Sequence, residues 1–367
     1  MIKEVKKLIV KYNGKVVGTL VDFGSKKIAF QYDDEWIQTG FSISPLSLPL
    51  SKEVYINSDK TFDGLYGVFN DSLPDGWGIL LVKRMLAKQG ISYEKLNMLT
   101  KLSIISGNGL GALTYEPAFE ETEIDLDYDL DKLAKQASII LEEKEEDVDL
   151  DKLFRLGGSS GGARPKAHLK IENGDWIVKF MSSYDPKTIA TDEYNANNLA
   201  KQCGININEF DLFKGNSGTP YFGVKRFDRI DDKKVHMISL SALLETSHRE
   251  YNLDYIHLFQ VIEKICVDKS DLYEAFKRMA FNVFYGNKDD HGKNFSFLYD
   301  DEMNGYKLSP AYDITKTINM AEHSMTVNGN GKPTELELFK VAEFMKLSMS
   351  KCKQIIEEVK KVLSNVI

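Results

Sequence analysis

An α+β fold in two lobes is predicted by three features of the 367-residue sequence. Residues 7–21 and 27–37 alternate apolar and polar side chains around Gly14, Gly18 and Gly24, the mark of short antiparallel strands. A second alternating pair of runs, 168–172 and 176–180, is joined by Asn173 and Gly174 and reads as a hairpin. From Leu240 onward the apolar residues recur at helical spacing. A β-rich half followed by an α-rich half implies two lobes with a cleft between them, and a prior of about 150 residues per domain admits two or three domains.

Composition bounds the function classes. With 43% hydrophobic and 28% charged residues, 9 Pro and 26 Gly, the chain is neither collagenous, coiled-coil nor largely disordered. No run approaches the roughly 18 apolar residues of a membrane span, and the opening MIKEVKKLIVKYNGK breaks off its apolar stretch too early for a signal peptide. A cytoplasmic protein with no membrane contact is expected. Cys203, Cys266 and Cys352 lie far apart without a CxxC pair, so neither disulfides nor structural zinc are indicated, and they read as buried small hydrophobes. The net charge of −8 argues against a chain that coats nucleic acid by itself. Residues 120–151 alone carry −11, with fourteen acids against Lys132, Lys135 and Lys144. Leu130, Leu133, Ala134, Ala137, Ile140 and Leu141 recur there at helical spacing, so the acidic segment is expected to hold a docked helix with an acidic face, either a solvated connector or a site for a basic partner.

Four regions follow: 1–115, a small β-rich module; 116–151, an acidic helical connector; 152–235, a sheet-based region with a glycine-rich loop; and 236–367, mainly helical. In the first, FDGLYGVFNDSLPDGWG at 62–78 leads into the helix-patterned ILLVKRMLAKQG, stopped by Gly90, and SGNGLGAL at 106–113 reads as a tight turn. In the last, LSALLE, YIHLFQVIEKI and LYEAFKRMAFNVFYGN read as helices, and a Thr334 to Glu337 capping box opens the first of two terminal helices.

The glycine run from Gly157 to Gly162 could let backbone N–H groups approach phosphate oxygens, or be a structural loop; it fails the Walker template because Ala163 and Arg164 stand where Lys and Ser/Thr belong. Lys179, alone in the apolar strand WIVKF, is placed as a kinase places its strand lysine, though an edge-strand lysine looks the same. Glu193 could orient it or sit on the surface. NKDDHGKNFSFL at 287–298 carries Asp289 and Asn294 at the D-x-x-x-x-N spacing of a catalytic base and a Mg²⁺ ligand, and Asp313 in SPAYDIT, after the aromatic Tyr312, follows where a metal-binding aspartate belongs. Calcium binding by this acidic cluster is the less favoured reading, since the alternating oxygen ligands and final Glu of an EF-hand are absent. His291 packs against the loop and contacts phosphate in preference to acting as base; His168, His236, His248, His257 and His323 show no ligand spacing and read as structural or exposed. The order of these signals is that of a bilobal kinase.

SSGGARPKA at 159–167, IVKF at 177–180, VKRFDR at 224–229, DDHGKNFS at 289–296 and SPAYD at 309–313 together resemble the HipA family of bacterial toxin kinases, and the likeness extends to FSISPLSLPL at 41–50 and to the 62–78 stretch. The resemblance implies a protein-kinase-like fold with a HipA-like N-terminal subdomain, and use of ATP and Mg²⁺. It makes Asp289 the base and Asn294 and Asp313 the metal ligands. It assigns Gly161, Gly162, Ala163, Arg164 and Lys166 to the phosphate loop, Lys179 to the α and β phosphates, and the backbone of Lys225 to Phe227 to adenine. It further implies transfer to Ser or Thr of a protein, with an aminoacyl-tRNA synthetase as the inherited substrate class. Self-inactivation by autophosphorylation at Ser159 or the adjacent Ser160 is implied, as is a dimeric helix-turn-helix antitoxin of the HipB type, through which DNA would mainly be contacted. Two other classes stay open: a kinase-fold subunit that binds the antitoxin or ATP without transfer, which the presence of Lys179, Asp289, Asn294 and Asp313 disfavours, and a small-molecule or lipid kinase.

Overall fold

The structure, a computed structural model, describes residues 3–107, 109–119, 128–142, 148–159, 161–171, 174–230 and 233–364. The chain forms two compact units: one from residues 1–191, 210–238 and 242–245, the other from 192–209, 239–241 and 246–367.

The first unit holds two larger antiparallel sheets and, among the described residues, the short antiparallel pair Arg229–Ile230 and Lys233–Lys234. In the five-stranded sheet the spatial order is Val54–Asn57, Ile28–Tyr32, Lys15–Asp22, Lys7–Tyr12, Leu113–Glu116. Alternation sets which face turns inward: Leu8, Val10 and Tyr12 are buried while Lys7 faces water. The helix Met98–Ile105 adds Leu99, Leu102 and Ile105 to the core, and is capped by Asn97, whose side chain accepts from the Thr100 N–H at 2.8 Å. Residues 33–37, expected as part of a strand, instead open the helix Asp34–Thr39. Asp33 caps it and Asp34 and Glu35 fill its first turn, so local capping chemistry overrides a short alternating pattern. Trp36 is thereby turned against Tyr12 and Phe41, with ring centroids at 5.6 and 5.3 Å.

The four-stranded sheet runs Lys166–Ile171, Gly174–Lys179, Pro220–Lys225, Phe210–Lys214. Its first two strands are the expected hairpin in the register Lys166 opposite Lys179, and Asn173 of the expected turn lies outside the described residues. The acidic segment does contain a helix, Leu130–Leu141, which buries Leu133, Ala137, Ile139 and Ile140. It docks by charge as well as by its stripe: the Asp131 carboxylate accepts from the Ser217 N–H at 2.7 Å and from the Tyr221 hydroxyl at 2.7 Å.

The second unit is mainly helical. Its core is the helix Asp271–Tyr285, with Phe276, Met279, Ala280 and Phe281 fully buried, packed with Tyr255–Ile265, Glu335–Phe344 and Met349–Leu363. The expected Thr334 to Glu337 capping box is present. Gly286 ends the central helix in the left-handed conformation, its N–H donating to the Asn282 carbonyl at 3.0 Å. That reversal delivers the segment 287–294. All three cysteines are buried and unpaired, as expected.

Phe30 is fully buried between Tyr32 and Phe69, so Phe30→Ala is expected to lower stability by about 3–5 kcal/mol. Phe23, 65% exposed, is expected to change it by no more than about 0.5 kcal/mol on the same substitution. Denaturant midpoints at constant m-value measure both.

Candidate functional site

In the first unit the glycine-rich segment follows the helix Leu150–Gly157. Ser159 is buried, at 5% exposure, and Ser160 lies outside the described residues. Gly162 has φ +79°, a conformation that glycine adopts without a Cβ penalty. The loop is held by a stretch whose role the sequence alone did not show, Asp75-Gly76-Trp77. The Gly162 N–H donates to the Asp75 carboxylate, the Trp77 N–H donates to the Gly162 carbonyl at 2.9 Å, and Trp77 Nε1 donates to the Lys166 carbonyl at 3.1 Å. A Cβ on Gly76 would lie 2.3 Å from the Gly162 oxygen, so this approach requires glycine. Lys166 is turned inward, its Nζ donating to the Gly161 carbonyl at 2.6 Å, while Arg164 Nε reaches Asp185 at 3.2 Å. Lys179, across the hairpin from Lys166, has its Nζ 5.7 Å from the Phe222 ring centroid.

Lys225 ends the strand that pairs with Trp176, and Phe227 is half-buried. Between and beyond them stands a buried ion cluster. Arg226 grips Asp228 with two hydrogen bonds, at 2.9 and 2.8 Å, and Arg229 adds a third at 3.0 Å. The Gly111 N–H donates to the same carboxylate at 2.7 Å, and Arg229 returns to the carbonyls of Gly111 and Gly109 at 2.8 and 3.1 Å. Within the 106–113 run residues 106 and 107 form a turn, as expected, and Gly109 and Gly111 are the seat of this cluster. Burial works against the Asp228 charge, but Arg226, Arg229 and the Gly111 N–H outweigh it and hold the carboxyl well below the usual carboxylate range. Burial, reinforced by Arg226, pushes His168 well below the usual imidazole range, so its neutral Nδ1 accepts from Arg226 at 3.1 Å.

In the second unit the two aspartates of the DD doublet separate. Asp289 keeps its side chain 53% exposed, with His291 Nε2 at 3.8 Å. Asp290 is 1% exposed and takes three donors: the Tyr255 hydroxyl at 2.7 Å, His323 Nδ1 at 2.8 Å and the Ser324 N–H at 2.9 Å. Of the two, Asp289 alone can meet an incoming hydroxyl. Asn294 Nδ2 donates to the Asp289 carbonyl at 2.7 Å, which points the amide oxygen elsewhere and leaves it fit for a hard cation. Asp313 has φ +53°, a conformation that aspartate tolerates better than most residues. Its neighbour Tyr312 ties this segment to the Asp289 loop, donating to the Lys293 carbonyl at 2.5 Å and sharing a 2.6 Å hydrogen bond with Ser296 Oγ. Arg278 braces the same segment through the Ser309 carbonyl at 2.7 Å. Among the described residues no three His, Cys, Asp or Glu side chains gather into a metal cage. The oxygens of Asn294 and Asp313 suit Mg²⁺, which usually takes only one or two carboxylates plus substrate phosphates.

Glu193 is 3% exposed, so it is not the surface glutamate that was one of its two readings. The remaining histidines have packing roles: His236 is buried with Nε2 2.8 Å from the Ile43 carbonyl, His257 closes the capping box of Asp254, and His248 lies against His291 with ring centroids at 5.1 Å.

The family model for the HipA N-terminal domain matches residues 8–116, and that for the HipA-like C-terminal domain matches 158–366. The chain belongs to the HipA family. A protein of Sinorhizobium fredii named putative kinase Y4mE is 26% identical to this HipA-family chain over 345 residues, covering 86% of it and 78% of the relative. A Shewanella oneidensis protein named serine/threonine-protein kinase toxin HipA is 23% identical over 375 residues, covering 88% of this chain and 79% of that one. Among solved structures, a chain of the S. oneidensis HipA, HipB and operator DNA complex aligns with a TM-score of 0.72 and 19% identity, covering 98% of this chain and 90% of that chain. The expected α+β, kinase-like fold is the fold of this HipA-family chain.

Arg226→Met is expected to destabilise the protein by about 3–5 kcal/mol at neutral pH, because it strips the main partner from a buried carboxylate. Since Asp228 has a lowered pKa in the folded state, its contribution is full above the unfolded value of about 4 and is lost as pH falls below it. The gap between wild type and variant should therefore narrow on acidification, as chemical denaturation at neutral and acidic pH would measure.

Proposed function

We propose that this chain is an ATP- and Mg²⁺-dependent serine/threonine protein kinase that acts as the toxin of a HipBA-like pair. The observation that carries the proposal is the second-unit constellation: a half-exposed Asp289, Asn294 donating to its carbonyl, and Asp313 tied to the same loop through Tyr312. The names of the relatives support it, one of them a serine/threonine-protein kinase toxin.

In this proposal Asp289 accepts the proton of a substrate hydroxyl as that oxygen bonds to the γ-phosphorus and ADP departs with the electron pair of the broken P–O bond. Asn294 and Asp313 would hold Mg²⁺, which when bound neutralises charge on the β and γ phosphates. Lys179 meets the α and β phosphates, the loop of Gly161, Gly162, Ala163, Arg164 and Lys166 lines them, and the backbone from Lys225 to Phe227 takes adenine. His291 packs beside the base and contacts phosphate. The partner would be a HipB-type antitoxin that makes most of the DNA contact, and the substrate an aminoacyl-tRNA synthetase. The S. oneidensis relative was crystallised with HipB and operator DNA, which supports this choice of partner.

Autophosphorylation at Ser159 or Ser160 would close the cycle. Ser159 is buried, so its hydroxyl must leave its seat to react, and a phosphoserine carrying about −1.5 to −2 charges could not return to a buried place beside a phosphate-binding loop.

Purified protein incubated with ATP and Mg²⁺ is expected to gain mass mapping to the peptide containing Ser159 and Ser160, with Asp289→Asn slower by at least about 100-fold. No gain from protein shown to be unphosphorylated and to bind ATP would overturn the kinase proposal. Ser159→Asp is expected to weaken ATP binding, as isothermal titration would show; unchanged binding would remove the self-inactivation step.

A further inference from the structure

The buried half of the DD doublet has a task that the proposed chemistry does not use. Asp290 is 1% exposed, and its two oxygens divide three donors: Oδ1 takes the Ser324 N–H, and Oδ2 takes the Tyr255 hydroxyl and His323 Nδ1. A carboxylate is the side chain that can accept all of these without offering a donor of its own. Behind it the hydrogen bonds run in one direction. Asn287 Nδ2 donates to Asn282 Oδ1 at 2.9 Å, Asn282 Nδ2 donates to the Tyr255 hydroxyl at 2.9 Å, and Tyr255 donates to Asp290. Burial, reinforced by the Asp290 charge, holds Tyr255 far above the usual phenol range, so it stays a donor.

These donors come from two stretches distant in sequence. Tyr255 and Asn282 belong to the helical core, whereas His323 and Ser324 belong to the segment that follows the Asp313 loop. That segment is stitched to 286–290 at further points. The Thr317 N–H donates to the Gly286 carbonyl at 3.0 Å, Lys288 Nζ donates to the Met320 carbonyl at 2.7 Å, and Ser324 Oγ donates to the Lys288 carbonyl at 3.0 Å. Beneath lies a cavity of only about 20 Å³ lined by Asn282, Asn287, Asp290 and Asn294 among others, so the loop has little room to shift without breaking these bonds.

We propose that Asp290 is a positioning residue: its buried carboxylate locks residues 317–324 onto the 286–294 loop and thereby sets the place of the Asp289 carboxylate and the Asn294 amide. The assignment rests on Asp289 being the base, and deepens that proposal. Asp290 touches no substrate and moves no proton. Displacing a reacting group by about 1 Å can cost 10²-fold.

The test measures phosphoryl transfer, ATP affinity and hydrogen–deuterium exchange on full-length wild type, Asp290→Asn and the milder Tyr255→Phe. Asp290→Asn keeps the volume and replaces one acceptor with an NH₂ donor; Tyr255→Phe removes one hydroxyl, the donor to Asp290 and the acceptor from Asn282, and leaves the Asp290 bonds to His323 and Ser324 in place. The expected result for Asp290→Asn is kcat lower by about 100-fold, ATP Kd within about twofold, and faster exchange confined to 286–294 and 317–324. Tyr255→Phe should move the same two segments with a smaller loss of kcat. Unchanged exchange in these segments, or unchanged kcat beside an active wild type, would overturn the positioning role. A wild type without transfer would overturn the kinase proposal instead, and exchange would still decide whether Asp290 holds the loop.

Discussion

A carboxylate taken out of water has to be surrounded by donors, and that requirement organises the candidate residues within each unit. In the first unit Asp228 is met by two guanidiniums and the Gly111 N–H. In the second, Asp290 is met by a phenol, an imidazole and the Ser324 N–H. Each carboxylate lies next to residues with which the proposed chemistry is concerned, Phe227 in one case and Asp289 in the other. An unpaired charge at either place would cost several kcal/mol, so the donors have to be delivered, and delivering them fixes the backbone around the functional residues.

Such clusters contribute little net stability, because the desolvation they require largely offsets the attraction they gain. Their effect here is on geometry. The Asp228 cluster draws the Gly109 to Gly111 turn onto the 226–229 segment, joining the five-stranded sheet's last connection to the end of the Pro220–Lys225 strand within one unit. The glycine-rich loop is fixed by the Asp75 carboxylate, the Trp77 indole and the Trp77 N–H, with Gly76 opposite Gly162 where no side chain fits. The N-terminal module therefore contributes residues to the surroundings of both functional stretches of its own unit.

Much of the architecture was legible because it depends on local chemistry. Gly90 and Gly286 follow helix ends, the Thr334 to Glu337 box opens a helix, and the stripe from Leu130 to Leu141 became one. The single clear failure, residues 33–37, came from weighing alternation above an Asp-Asp-Glu helix start. Asp289, Asn294, Asp313 and Lys179 were recognisable because their spacing within short segments carries the signal. Asp75, Asp228, Asp290 and His323 gave no such signal, and Tyr312 was visible only as the aromatic beside Asp313.

The sequence by itself determined the two opening strands, the 168–180 hairpin, the main helices of the last third and several glycine turns, because each depends on neighbours within about one or two turns of chain. Only the tertiary structure decided which aspartate of the doublet is buried, that Asp75 and Trp77 hold the glycine loop, and that His323 reaches back 33 residues to Asp290. Those outcomes depend on which donors meet each carboxylate once distant segments pack, and the spacing of residues along the chain carries no record of that meeting.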